Sequence, residues 1–174
     1  LELSEIESGV QRELHEVALT DVMRDAVGRV AELASRGEIA IEMIGPQASI
    51  GSDTSGDRGP IVTGDGHQLA SAVGNIVENA VKYSEPGAVV HVAVREEGAW
   101  GEIVVADEGA GIPQADLDRV FERFYRVDRA RSRRTGGTGL GLSIVRHVAE
   151  AHGGQVSVDS VEGQGATFVL RLPL

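Results

Sequence analysis

Asn75-Ile76-Val77-Glu78-Asn79-Ala80-Val81-Lys82-Tyr83-Ser84 sets the architecture of this chain. On a helix advancing about 100° per residue, positions 75, 79 and 82 fall within about 60° of one another. Leu69, Val73, Ile76, Val77 and Ala80 cluster on the opposite side. One face is core and the other carries two amides and an ammonium. Asparagine is a poor helix former because its amide competes with the backbone, so two of them inside one helix cost stability unless they face a partner.

Outward from this helix the pattern predicts a layered α/β domain. Upstream, Asp65 caps the helix, and residues 45–60 form a Gly-, Ser- and Asp-rich loop without periodicity. Ile39 to Ile44 is a strand candidate. Thr20-Asp21 caps an earlier helix that Gly37 stops, and Arg12 to Leu19 reads as an extended linker. Downstream, residues 88–95 and 101–106 alternate as a hairpin, and Pro113 to Phe124 reads as a short helix. Residues 139–152 form a helix closed by Gly153-Gly154, and residues 155–160 and 166–172 make a closing hairpin. The expected fold class is a two-layer α/β (α+β) sandwich, a mixed, mostly antiparallel sheet with helices on one face.

The 174 residues, 41% hydrophobic and 25% charged, suffice for one core. A net charge of -11 argues against a nucleic-acid surface, because phosphate neutralisation needs a basic field. The absence of cysteine excludes a disulfide scaffold and thiolate zinc sites. Leu1 to Gly9 reads as the last turns of a helix ending at a glycine, as in a piece of a longer protein.

The polar face of the Asn-bearing helix suits a metal-bound triphosphate. Carboxamide oxygens are neutral hard ligands for a magnesium ion that takes its remaining oxygens from phosphates and water, which nominates Asn79 and Asn75. Lys82, the only lysine in the sequence, adds positive charge one turn on. Asp107 ends a strand before Glu108-Gly109-Ala110-Gly111, so its carboxylate can point into a cleft and accept from an exocyclic amine; a turn-forming aspartate reads the same way. Gly111-Ile112-Pro113 would line that cleft. Gly136-Gly137-Thr138-Gly139-Leu140-Gly141 opens a helix, where free amides attract phosphate. It is not a P-loop, because Leu142-Ser143 follows the last glycine in place of Lys and Ser or Thr. Nor is it a dinucleotide fingerprint, because it follows no strand. Six arginines between 122 and 135, including Arg131 and Arg134, form a phosphate-neutralising cover, a docking strip for an acidic partner or a solvated loop, with Phe121, Phe124 and Tyr125 as its anchors. His15-Glu16 lacks the context of a phosphoacceptor, and His67, His91, His147 and His152 show no ligand spacing.

In this order the motifs resemble the catalytic ATP-binding domain of bacterial two-component sensor histidine kinases. Residues 75–84 resemble its N box, 107–111 its G1 box, Phe121-Glu122-Arg123-Phe124 its F box and 137–141 its G2 box. The resemblance implies a Bergerat fold, shared with gyrase, Hsp90 and MutL ATPases. It assigns residues 1–11 to the end of a dimerisation helix and a linker, and 12–174 to the catalytic domain, with an ATP lid at about 122–138.

By the same resemblance, Asn79 holds Mg²⁺ with help from Asn75, Lys82 touches phosphate, Tyr83 packs by the base and Asp107 binds adenine N6. Gly109, Gly111, Ile112, Phe124, Arg131, Arg134, Gly137, Thr138, Gly139, Leu140 and Gly141 complete the ATP site. Hydrolytic relatives carry a glutamate where Asn75 stands, and an amide cannot activate water, which points to transfer. The implied partners are the parent's own dimerisation and histidine-phosphotransfer domain and a downstream response regulator, with the domain in the cytoplasm and the parent anchored in the membrane. The alternatives are a nucleotide-dependent switch without transfer, a GHL-type ATPase and a serine kinase related to anti-sigma factors.

Overall fold

A computed structural model describes residues 14–45, 59–127 and 138–174. The expected terminal helix at 1–9, most of the loop at 45–60 and the lid arginines 129–134 lie outside the described residues.

The chain opens with β1 (His15–Ala18) and α1 (Leu19–Arg36), then β2 (Ala40–Ile44), β3 (Ile61–Gly64) and α2 (Gly66–Tyr83). The hairpin β4 (Val89–Glu97) and β5 (Trp100–Asp107) follows, then α3 (Gly141–Ala151), β6 (Gln155–Ser160) and β7 (Ala166–Pro173). Five strands form one sheet in the order β2-β4-β5-β7-β6. Only β2 and β4 run parallel. A mixed, mostly antiparallel sheet with helices packed against it is the fold class that the sequence predicts.

Register divides the sheet into a covered and an open face. Val92, Val105, Phe168 and Val158 lie in one row and Val94, Ile103, Leu170 and Val156 in the next. These rows join the helices in the core, which α1 meets with Leu19, Val22, Met23, Ala26 and Val30, recurring at helical spacing. The row beyond these, on the open face, is Arg95, Glu102, Arg171 and Gln155. There Arg95 and Arg171 both donate through Nε to Glu102, at 2.7 and 2.5 Å, and leave its side chain without solvent exposure. Burial alone would raise the Glu102 pKa, but the two guanidiniums outweigh it and hold the carboxyl below its ordinary value.

α2 is buried on more than one side because it packs against α1, α3 and the sheet together. Its expected core residues are all buried, Leu69, Val73, Ile76 and Val77 completely. Each such side chain contributes roughly 1.5–3 kcal/mol on burial. At its N-terminus Asp65 accepts from His67 N and Gln68 N at 3.0 and 3.1 Å, the cap that the sequence predicts. Asp65 N in turn donates to His152 Nε2 at 3.0 Å, tying the start of α2 to the end of α3.

Three elements differ from the sequence expectation. Part of the presumed linker is β1, which pairs antiparallel with β3 beside the main sheet. α1 starts at Leu19, not at a Thr20-Asp21 cap, because Leu19 is fully buried and its N–H donates to Pro60 O at 2.9 Å. Residues 113–124 form a single 3₁₀ turn, Gln114–Asp116, and successive further turns. A regular helix fails there because Val120 and Phe121 are both drawn into the core and Phe124 turns the chain with φ +64°.

Candidate functional site

The polar face of α2 forms one wall of a cavity of about 580 Å³, with Asn75, Glu78, Asn79 and Lys82 on it. Tyr83, Asp107, Gly111 and Ile112 line a second side. Thr138, Gly139, Leu140 and Gly141 line a third, and Phe168 and Ala166 of β7 contribute apolar surface. The structure therefore gathers residues from Asn75 to Phe168 in sequence around one space.

Asp107 is the last residue of β5, where the chain leaves the sheet. Its Oδ1 accepts Gly109 N–H at 2.8 Å. Burial raises its pKa above the ordinary aspartate value, and hydrogen bonds from the Gly109 and Ala166 backbones oppose this only in part. A half-buried carboxylate with unused acceptor capacity fits an amine donor from a ligand.

The loop after Asp107 is clamped by the turn between β6 and β7. Gly163 N donates to Ala110 O at 2.7 Å, and Ile112 N donates to Ser160 Oγ at 2.8 Å. The Ser160 hydroxyl in turn donates to Gly165 O at 2.6 Å. On the other side Ala110 N donates to Tyr83 O at 3.2 Å, and a Cβ on Gly109 would lie 2.4 Å from that oxygen. Gly109 thus holds the loop against α2 from behind the cavity and does not line it.

α3 points its N-terminus at the cavity, with Leu140, Gly141 and Leu142 on the wall. The first N–H groups of a helix have no intrahelical partner, and its dipole adds partial positive charge there. Gly139 has φ +72°, and a Cβ on it would sit 2.9 Å from the Phe124 carbonyl carbon. Gly141 is different: a Cβ there would meet only Asn75 atoms, at 3.6 Å or more, which is ordinary contact. Its glycine is not required by the protein's own packing.

Phe124 is 70% exposed and turned away, held by its N–H donating to Gly139 O at 2.8 Å. Tyr125 and Arg126 line the cavity in its place. Tyr125 is fixed by a hydrogen bond from its hydroxyl to Asp116 and by the Arg119 guanidinium 4.2 Å from its ring centre. Arg131, Arg134 and Gly137 lie outside the described residues.

Two features of the wall lack an obvious sequence signal. Glu78 accepts a short ion-paired hydrogen bond from Lys82 Nζ. Among the described residues, Arg126 has a buried Nη2 without a hydrogen-bond partner, and Asn75 has a buried Nδ2 in the same condition. An unsatisfied buried donor costs about 1–3 kcal/mol, so two donors at one cavity mark a place where acceptor oxygens of a ligand relieve that cost. Among the described residues no group of three or more His, Cys, Asp or Glu could hold a metal. The amide oxygens of Asn75 and Asn79 fit a magnesium ion only if phosphate oxygens arrive with it.

Residues 64–174 match the family model described as Histidine kinase-, DNA gyrase B-, and HSP90-like ATPase. The sensor-like histidine kinase SenX3 of Mycolicibacterium smegmatis is 42% identical over 175 residues, covering 99% of this chain. The chain spans 42% of that relative's length. The solved structure of the mycobacterial sensor histidine kinase MprB is 32% identical with a TM-score of 0.74, covering 92% of this chain and 97% of that one. Full-length ShkA, solved in complex with AMPPNP, is 26% identical with a TM-score of 0.76, covering 95% of this chain and 32% of that one. With its sheet order, its cavity and these matches, the chain belongs to the histidine kinase-, DNA gyrase B- and HSP90-like ATPase family, as an ATP-binding catalytic domain of the sensor histidine kinase type.

Proposed function

We propose that this domain binds ATP as its magnesium complex and delivers the γ-phosphate to a histidine on a separate dimerisation domain, for relay to a response regulator. The adenine sits against Asp107, whose carboxylate accepts from the exocyclic amine, between Tyr83 and the Gly111-Ile112 loop. The phosphates lie toward the start of α3 and the side chains of Lys82 and Arg126. Asn79, with Asn75, supplies the oxygens for magnesium, which when bound neutralises phosphate charge.

Phosphoryl transfer depends chiefly on position and charge neutralisation, so a domain that holds the nucleotide and leaves its last phosphate open needs no nucleophile of its own. The observation that carries the reading is the pair of amides facing the cavity at 75 and 79. Hydrolysis would need a free carboxylate base at the phosphate end, and Glu78 there is engaged by Lys82. The AMPPNP complex of ShkA supports nucleotide binding by this fold. Within the described residues no helix is long and apolar enough to cross a membrane. In this reading the domain works on the cytoplasmic side of a membrane-anchored parent.

The test mixes the 174-residue chain, γ-labelled ATP and magnesium with a polypeptide carrying the parent's dimerisation helices and acceptor histidine. Acid-labile, alkali-stable label on that polypeptide is the expected result, and Asn79→Ala removes it. Steady release of free phosphate with no labelled polypeptide overturns the reading in favour of an ATPase.

A further inference from the structure

We infer that Glu78 makes nucleotide binding at this cavity depend on magnesium, by keeping the charge of Lys82 masked from nucleotides that arrive without the metal. The inference rests on the proposed ATP site and concerns a residue to which that proposal gives no contact with the nucleotide.

Glu78 lies on the cavity wall, three residues after Asn75 and next to Asn79, and its Oε1 is paired with Lys82 Nζ. The lysine side chain is 24% exposed and the glutamate 42%, so the pair sits at the edge of the cavity and not in open solvent. Lys82 is the lysine through which α2 can attract phosphate, and in this arrangement its field is largely cancelled before the nucleotide arrives. Glu78 in addition repels any anion entering beside it. A nucleotide bound to magnesium carries roughly half the charge of the free tetraanion, and the repulsion falls in proportion. The metal-bound form is therefore admitted at a smaller cost. Asn75 and Asn79 favour the metal-bound form by coordinating it, but being neutral they put no repulsion on a nucleotide that arrives without the metal.

The experiment measures affinity of the 174-residue chain for a fluorescent ATP analogue, with excess magnesium and with excess chelator, in the wild type, Glu78→Gln and Glu78→Asp. Removing the charge is expected to tighten metal-free binding about tenfold and metal-bound binding only about threefold, because the logarithm of the effect scales with ligand charge. Glu78→Asp, which keeps the charge, retains most of the wild-type magnesium dependence. Raising the salt concentration shrinks the difference between the wild type and Glu78→Gln. Equal changes in the two conditions, or weaker metal-bound binding in Glu78→Gln, overturn the inference; the latter makes Glu78 a ligand of the metal. If the wild type binds the analogue in neither condition, the proposed ATP site itself has failed.

Discussion

A Cβ placed on Gly165 would lie 1.9 Å from the carbonyl oxygen of Asp107, and Gly165 holds φ +91°. The turn between β6 and β7 therefore presses directly on the residue proposed to read adenine. Gly165→Ala has to move one of the two backbones, at about 1–3 kcal/mol of stability. It is expected to lower Tm and to weaken nucleotide binding together. An alanine variant with unchanged melting and unchanged affinity would show that this contact does not hold the Asp107 loop.

Asp107 itself ties affinity to pH. Its folded pKa is raised by burial, so the group gives stability below its unfolded value that is lost as pH rises through the folded value. Ionised Asp107 thus costs the empty protein stability at neutral pH, and Asp107→Asn is expected to melt at a higher temperature without ligand. The ionised carboxylate is the better acceptor for an amine, so wild-type ATP affinity falls on acidification from above the ordinary aspartate range. The affinity ratio of wild type to Asp107→Asn cancels titration of the nucleotide, and it should decline over that window. A pH-independent ratio would remove Asp107 from base recognition.

Asn79→Ala separates binding from folding. Alanine is the better helix former by a few tenths of a kcal/mol, so thermal unfolding of the empty protein is expected to be unchanged or slightly later. Affinity for the magnesium nucleotide should fall about ten- to a hundredfold, the usual scale for losing a group that supports a metal. Calorimetry of both variants with and without magnesium checks this. Equal affinity would relocate the metal.

On the open face of the sheet, Glu102→Gln leaves Arg95 and Arg171 with a neutral acceptor and is expected to cost about 1–3 kcal/mol at pH 7. Because the folded Glu102 pKa is lowered, its stabilisation is present above the unfolded value of 4.5 and is lost as pH falls through the folded value. The gap between wild type and Glu102→Gln in urea denaturation should therefore narrow below pH 4.5. A gap independent of pH would assign the cost to packing.

The legible parts of this fold were those with long periods. α2 declared itself through five apolar positions at helical spacing and a capping aspartate, and the two hairpins through alternation around glycine. The pairing of β1 with β3 was hidden because each has four residues, and more than forty residues separate them in sequence. No turn signal joins strands so far apart. In the site, Asn75, Asn79, Lys82, Asp107, Gly111 and Ile112 could be read because amides in a helix and glycines after a strand are locally costly, whereas Tyr83 entered only through the family resemblance. Phe124 and Arg126 could not be told apart, since their directions depend on a backbone turn with positive φ that no residue type announces. Glu78 was silent for a different reason: a glutamate in a helix needs no explanation until its partner and cavity are seen.

Occupation of the cavity by a magnesium nucleotide is tested by a heteronuclear NMR titration of the 174-residue chain with magnesium and a non-hydrolysable ATP analogue. Nucleotide bound in the cavity is expected to concentrate shifts at Asn75, Asn79, the Asp107 to Ile112 loop and residues 138–142, with far smaller shifts on the open-face row of Arg95, Glu102 and Arg171. Resonances of the cavity residues left in place at millimolar analogue would contradict it.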